Sequence, residues 1–120
     1  MPKEYIEIVH VSQEEIGLRM KLGPRQGAIG AQILSLQHAV GVNYNLGGLD
    51  ADPLLPKDTP ILVGGGVWQW CVQDRVRKLR KLGYTNVTAD RTISFALEDG
   101  YKDAGIETRH PLVSKNLEYW

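Results

Sequence analysis

The residues with most chemical potential lie between Pro60 and Thr92, in PILVGGGVWQWCVQDRVRKLRKLGYTNVTADRT. The pattern predicts a strand, a glycine turn, a helix and a second strand. Cys71, the single cysteine of the chain, sits where turn becomes helix. A helix amino terminus has free N–H groups and a positive dipole end, so it stabilises anions. The same position lowers a thiol pKa and sharpens its nucleophilicity. The segment therefore fits two chemistries, anion binding or cysteine nucleophilic catalysis.

Gly64, Gly65 and Gly66 would let a phosphate approach the backbone closely at the carboxyl end of a buried strand, where ligands of open α/β sheets bind. They match neither Gly-x-Gly-x-x-Gly nor a Gly-Lys-Ser/Thr loop. A second glycine-led helix start, with Gly23, Arg25, Gln26 and Gly27, could converge on the same ligand. Arg25, Arg91 and Arg109 are candidate partners because a guanidinium pairs with oxyanions bidentately. Trp68 and Trp70 could stack on a ring, or pack a core or subunit interface. As a nucleophile, Cys71 would need a base, and His10, His38 and His110 are distant in sequence. The expected ligand site is Gly64, Gly65, Gly66, Trp68, Arg25, Gly27, Arg91 and Arg109, with Cys71 catalytic only in a hydrolase. The bland readings are a tight packing turn, solvated arginines and a core cysteine.

The elements that must position these residues are legible. Tyr5 to Val11 reads as a first strand, interrupted by Glu7 and His10 and so partly exposed. Ser12-Gln13-Glu14-Glu15 has capping-box spacing for a short helix. Ala28 to Val40 carries the stripe Ile29, Ile33, Leu36, Val40 and ends at Gly41. Residues 41–60 read as turns and an irregular connection, either a lid, an interface or a connector. Ile61 to Val63 is a strand of the kind buried on both faces. In the helix from Trp68 to Leu82, Val72, Val76 and Leu79 form the apolar stripe, and Arg75, Arg77, Lys78, Arg80 and Lys81 take the other faces. Val87 to Ala89 is a strand, Ala96 to Ala104 a short helix, and Ile106 to His110 a last strand before the aromatic end Tyr119-Trp120. The alternation predicts one α/β domain over residues 1–120, a partly parallel sheet of three to five strands with flanking helices.

Composition narrows the function classes. The 14 basic and 14 acidic residues cancel, which argues against a general nucleic-acid binder. Residues 1–60 hold 5 Lys/Arg against 7 Asp/Glu, and residues 61–120 hold 9 against 7. The basic run from Arg75 to Lys81 reads as a solvated helix face. One cysteine allows no internal disulfide and fits a reducing, cytoplasmic setting. No apolar run reaches ~18 residues, and no signal-peptide pattern is present. The histidines lack metal spacing, so neither a metal nor a cofactor is expected.

Residues 65–84, GGVWQWCVQDRVRKLRKLGY, resemble the nucleophile segment of the isochorismatase-like cysteine hydrolases, to which nicotinamidases belong. The shared features are a glycine six residues before the cysteine, then Cys71-Val72, Val76-Arg77 and Gly83-Tyr84. Asp90, Thr92 and Ser94 follow as the family's next strand end does, with Asp90 one position early. Asp103-Ala104-Gly105-Ile106 resembles the family's later helix-to-strand turn. The resemblance implies Cys71 as nucleophile, with backbone N–H groups around Trp70 and Cys71 as oxyanion donors. Trp68 and Gln69 stand where the family has threonine and an acidic residue or asparagine. The first strand runs into His10-Val11-Ser12 rather than into the family's aspartate, and Lys57 is only a positional match for its lysine. Pro56 to Pro60 together with Lys81 to Val87 is also similar to rhodanese domains. There the cysteine position falls on Gly66, which implies an inactive relative. The favoured reading is a non-catalytic homo-oligomer that binds a small anionic, nucleotide-like ligand, with no membrane partner. The alternative is a cysteine hydrolase acting on an amide through Cys71.

Overall fold

A computed structural model describes residues 3–105. Four strands, β1 (Tyr5–Val9), β2 (Asn43–Asn45), β3 (Ile61–Gly66) and β4 (Val87–Phe95), form one sheet in the order β2-β1-β3-β4. Every pairing among them is parallel. The helices are α1 (Gln13–Arg19), α2 (Pro24–Ala39), α3 (Gln73–Lys81) and α4 (Leu97–Asp103), with a π-helical turn, Trp68–Val72, leading into α3. The expected small α/β domain is therefore present, its sheet wholly parallel among the described strands. The expected strand Ile106–His110, Arg109 and the aromatic end lie outside the described residues.

Boundaries moved for local reasons. Helix α2 begins at Pro24, in the stretch read as a turn, because proline suits the first helical position and needs no N–H partner there. Gly27 is thus inside the helix, donating its N–H to the Gly23 carbonyl at 2.8 Å. Strand β2, read as a turn, exists because β1 offers a free parallel edge; Asn43 and Asn45 hydrogen-bond β1 groups through their side chains. Strand β4 runs six residues past Ala89. Between Val63↔Ala89 and Gly65↔Ser94, β3 advances two residues and β4 five, so β4 bulges around Asp90 to Ile93.

The alternation of β1 explains both cores. Ile6 and Ile8 face one layer with Ile16, Ile29, Ile33, Ile93 and Phe95. Val9 faces the other with Ile61, Val63, Val72, Val76 and Leu79. Glu7 lies on that second face by period two, and it is 2 % exposed, not at a solvated face. Its partner is Arg75, 1 % exposed. Arg75 Nε donates to Glu7 Oε2 at 2.5 Å and Nη2 to Oε1 at 2.9 Å. Nη1 donates to the carbonyls of Leu49 and Ala51, at 2.7 and 2.8 Å. Arg75 was expected among solvated side chains, yet it stands three residues after Val72 and four before Leu79, on the buried stripe.

Residues 46–60 are strapped down as a connector. Besides the two carbonyls on Arg75, Asp50 pairs with Lys78 at 3.0 Å. The Tyr84 hydroxyl donates to Asp52 and accepts from the Leu55 N–H, and Lys57 lies 4.0 Å from the centre of the Tyr84 ring. Part of the basic run is also engaged: Lys78 meets Asp50 and Asp74, and Arg80 donates to the Val87 carbonyl.

Removing one partner of a buried pair leaves a desolvated charge behind. Glu7→Gln is expected to lower unfolding stability by about 3 kcal/mol, and the double change Glu7→Met, Arg75→Met by clearly less. Urea denaturation of both variants checks this; a Glu7→Gln loss under ~1 kcal/mol would place the pair outside the fold's stabilising contacts.

Candidate functional site

The sheet order reverses between β1 and β3, so the crevice at their carboxyl ends is the natural ligand position of this topology. The register pairs Val9 with Gly65 there. The glycines of β3 are consumed by packing, however. A Cβ on Gly64 would lie 2.6 Å from Ile93, and one on Gly65 would lie 2.3 Å from the Val9 carbonyl oxygen. Gly65 also has φ of 110°, a conformation that only glycine adopts without strain. The glycines therefore let β1 and β4 close against β3, and the expected phosphate cradle is filled by the protein itself. Trp68, expected to face a ligand, is instead buried in the α3 core. The peptide joining Gly66 to Val67 is cis.

The second expected anion site is likewise occupied from within. The carboxylate of Asp103, at the end of α4, accepts from the Arg25 N–H at 3.0 Å and from the Gln26 N–H at 2.9 Å. A Cβ on Gly23 would lie 2.3 Å from Asp103 Cγ, so the carboxylate seats only because residue 23 has no side chain. Burial pushes the Asp103 carboxyl up. The two backbone N–H bonds and the Arg25 charge outweigh that and hold it below its ordinary value of 3.8.

Arg25 and Arg91 do come together, as expected, lining a cleft of about 440 Å³ with Gln32 and Thr92. Arg91 is nonetheless engaged. It donates to Glu98 at 3.0 Å, to Asp99 at 2.9 Å and to the Ser94 carbonyl at 2.7 Å. Burial pulls its pKa down, and the bonds and charges of Asp99 and Glu98 carry it above the ordinary arginine value. The Arg91 guanidinium is thus taken by Glu98 and Asp99, while Arg25 gives Asp103 its backbone N–H and adds its charge nearby.

A different cleft holds the thiol. Gln69, Trp70, Cys71, Asp74 and Arg77 line an opening of about 380 Å³ on the π-helical turn and the first turns of α3. Cys71 is half-buried, its inner side against the α3 core. Trp70 is 51 % exposed. Asp74 pairs with Lys78 at 3.4 Å. Arg77 is exposed and has no carboxylate partner among the described residues. Gln69 is 2 % exposed and anchors to α4: its Nε2 donates to Glu98 at 2.7 Å and its Oε1 accepts from the Leu97 N–H at 3.1 Å. The Trp70 N–H, expected as an oxyanion donor, instead bonds the Val67 carbonyl at 3.1 Å, and the Val72 N–H bonds the same oxygen at 3.2 Å. Single π turns recur at functional sites because they re-aim side chains.

Sequence reasoning singled out Cys71 but missed Gln69, Asp74 and Arg77 as its neighbours. The signal was present: positions 70, 74 and 77 recur at helical spacing on one face. Among the described residues, no group of three His, Cys, Asp or Glu side chains could hold a metal ion, and no helix is long and apolar enough to cross a membrane. No protein-family model matches the chain, and neither a curated protein nor a solved structure does.

Asp103 acts as a helix cap supplied from another element. Asp103→Asn is expected to cost about 1 kcal/mol at pH 7. Because the folded carboxyl is held low, that contribution is present above its unfolded value and vanishes as pH falls through the folded one. Melting curves of wild type and variant should therefore converge in strong acid; a gap constant from pH 7 to pH 2 would contradict the assignment.

Proposed function

We propose that this is a cytoplasmic binding protein for a small planar anion, held in the Cys71 cleft without turnover. The observation that carries the reading is Arg77, a guanidinium without an internal carboxylate, beside the exposed ring of Trp70. A ring can stack on the indole while its anionic group meets the guanidinium. A nucleotide-like ligand satisfies both requirements. Arg91 and the β3 glycines first expected to bind are committed to the fold, and Arg77 supplies a cation beside an exposed ring. Leu18 and Leu22, one turn apart on the α1 side and both mostly exposed, support assembly as a homo-oligomer.

A second reading is favoured by one observation: Cys71 shares its cleft with Asp74, three residues on along the same helical face. A carboxylate so placed could take the thiol proton. The thiolate would attack an amide carbonyl, the amine would leave with a proton, and water would release the acid from the thioester. The likeness of residues 65–84 to the nucleophile segment of isochorismatase-like hydrolases supports this reading as well.

Cys71 is the sole cysteine, so alkylation reports on this cleft directly. Iodoacetate and iodoacetamide differ chiefly in charge. Arg77→Ala is expected to lower the ratio of their rates, iodoacetate over iodoacetamide, about threefold at low salt. A ratio indifferent to Arg77 would sink the anion reading. For the second reading, Cys71→Ala should abolish anilide hydrolysis; absence of any hydrolysis by the wild type would remove it. Sedimentation velocity should show an oligomer that Leu18→Glu dissociates; a wild-type monomer would refute the assembly.

A further inference from the structure

The turn that carries Trp70 and Cys71 is wider than an α-helix. The Val72 N–H reaches back five residues to the Val67 carbonyl, at 3.2 Å, and the Trp70 N–H meets the same oxygen at 3.1 Å. An α-helix bonds four residues back. Trp68–Val72 contains neither proline nor glycine, so its own sequence does not force the wide turn. Tertiary contacts must hold it. Trp68 and Val72 are packed in the α3 core. Gln69, almost wholly buried, is instead fastened by its polar ends to α4. Its Oε1 accepts from the N–H of Leu97, the first residue of α4, which has no carbonyl partner within that helix. Its Nε2 donates to one oxygen of Glu98, and Arg91 holds the other. Gln69 thus caps α4 from outside, as Asp103 caps α2.

We propose that Gln69 is a positioning residue of the Cys71 cleft: its two bonds to α4 hold the wide turn, and the wide turn places Trp70 and Cys71 beside Asp74 and Arg77. Gln69 itself contacts no ligand. Without the two bonds the turn relaxes toward α-helical bonding, which rotates Trp70 and Cys71 relative to α3. Glu98 and Arg91 act on the thiol through Gln69. The consequence for binding rests on the reading of this cleft as the ligand site; the placement of the thiol does not.

Gln69→Met keeps the volume of the side chain and removes both bonds. Amide hydrogen exchange followed by NMR is expected to quicken about tenfold at Trp70 and Val72, and to stay within about twofold at Val76, in the middle of α3. Iodoacetamide should modify Cys71 about threefold faster, because the thiol turns out of the core packing. The swapped pair, Gln69→Glu with Glu98→Gln, reverses the bond between the two side chains. It keeps an acceptor for the Leu97 N–H and an amide oxygen for Arg91. It should restore both readouts, whereas Gln69→Glu alone sets two carboxylates together and should not. A residue that only stabilised the fold would raise exchange at all three amides alike. That result overturns the proposal, as does unchanged exchange at Trp70 and Val72 or an unchanged Cys71 rate. Should Gln69→Met fail to fold, the swapped pair decides: rescue relative to Gln69→Glu supports the proposal, and equal exchange overturns it. Failure of the anion reading shows separately, as an iodoacetate to iodoacetamide ratio that ignores Arg77→Ala while exchange still responds to Gln69→Met.

Discussion

The ion pair of Glu7 and Arg75 holds the layers of this protein in register. Glu7 comes from the middle of β1, Arg75 from the first turn of α3, and the remaining Arg75 donors bind the Leu49 and Ala51 carbonyls. One side chain thus ties a central strand, the helix that covers it and the connector between β2 and β3. An isolated charge in that position would be strongly unfavourable, and the pair persists because nearly every polar atom involved has a partner. The first turn of α3 is also where the thiol cleft lies. Asp74 is adjacent to Arg75, and Cys71 is one turn earlier. Fixing Arg75 therefore fixes the orientation of the cleft relative to the sheet.

Internal saturation of charge is the second theme. The amino terminus of α2, which a phosphate would favour, takes the Asp103 carboxylate. Arg91 takes Glu98 and Asp99. The basic helix face takes Asp50, Asp74 and a backbone carbonyl. The binding chemistry suggested by the sequence is real chemistry, used here between parts of one chain. It stabilises α4 against α2 and the connector against α3. Among the groups it leaves without an internal partner are a guanidinium, an exposed indole and a thiol that line one cleft. A site is more readily recognised from such leftover valences than from the total number of charged residues nearby.

The parallel α/β architecture was legible because it depends on short-range patterns. Ile61 to Val63 is apolar on both faces, as a central parallel strand must be. Gly41 and Gly83 end their helices, and the stripe Val72, Val76, Leu79 marks the face of α3 that meets the sheet. Less legible were the elements that depend on a partner. Asn43 to Asn45 has no strand signature, and it becomes β2 only because β1 presents an open edge. The bulge of β4 arises from pairing with the β3 glycines, and it turns Arg91 toward α4.

The site divides in the same way. The sequence alone determined that Cys71 stands where a strand gives way to a helix, and that Trp70, Asp74 and Arg77 share a helical face with it, because helical spacing is a local property. Tertiary structure decided which charges remain free. Glu7 and Arg75 are 68 residues apart, and Asp103 lies 77 residues from Gln26. No local pattern encodes such a meeting. The glycines of β3 could have been a phosphate cradle or a packing surface, and Val9 and Ile93 made them the latter. The physical reason is that desolvation and charge pairing depend on distance in space, which the order of residues leaves open until the sheet has formed.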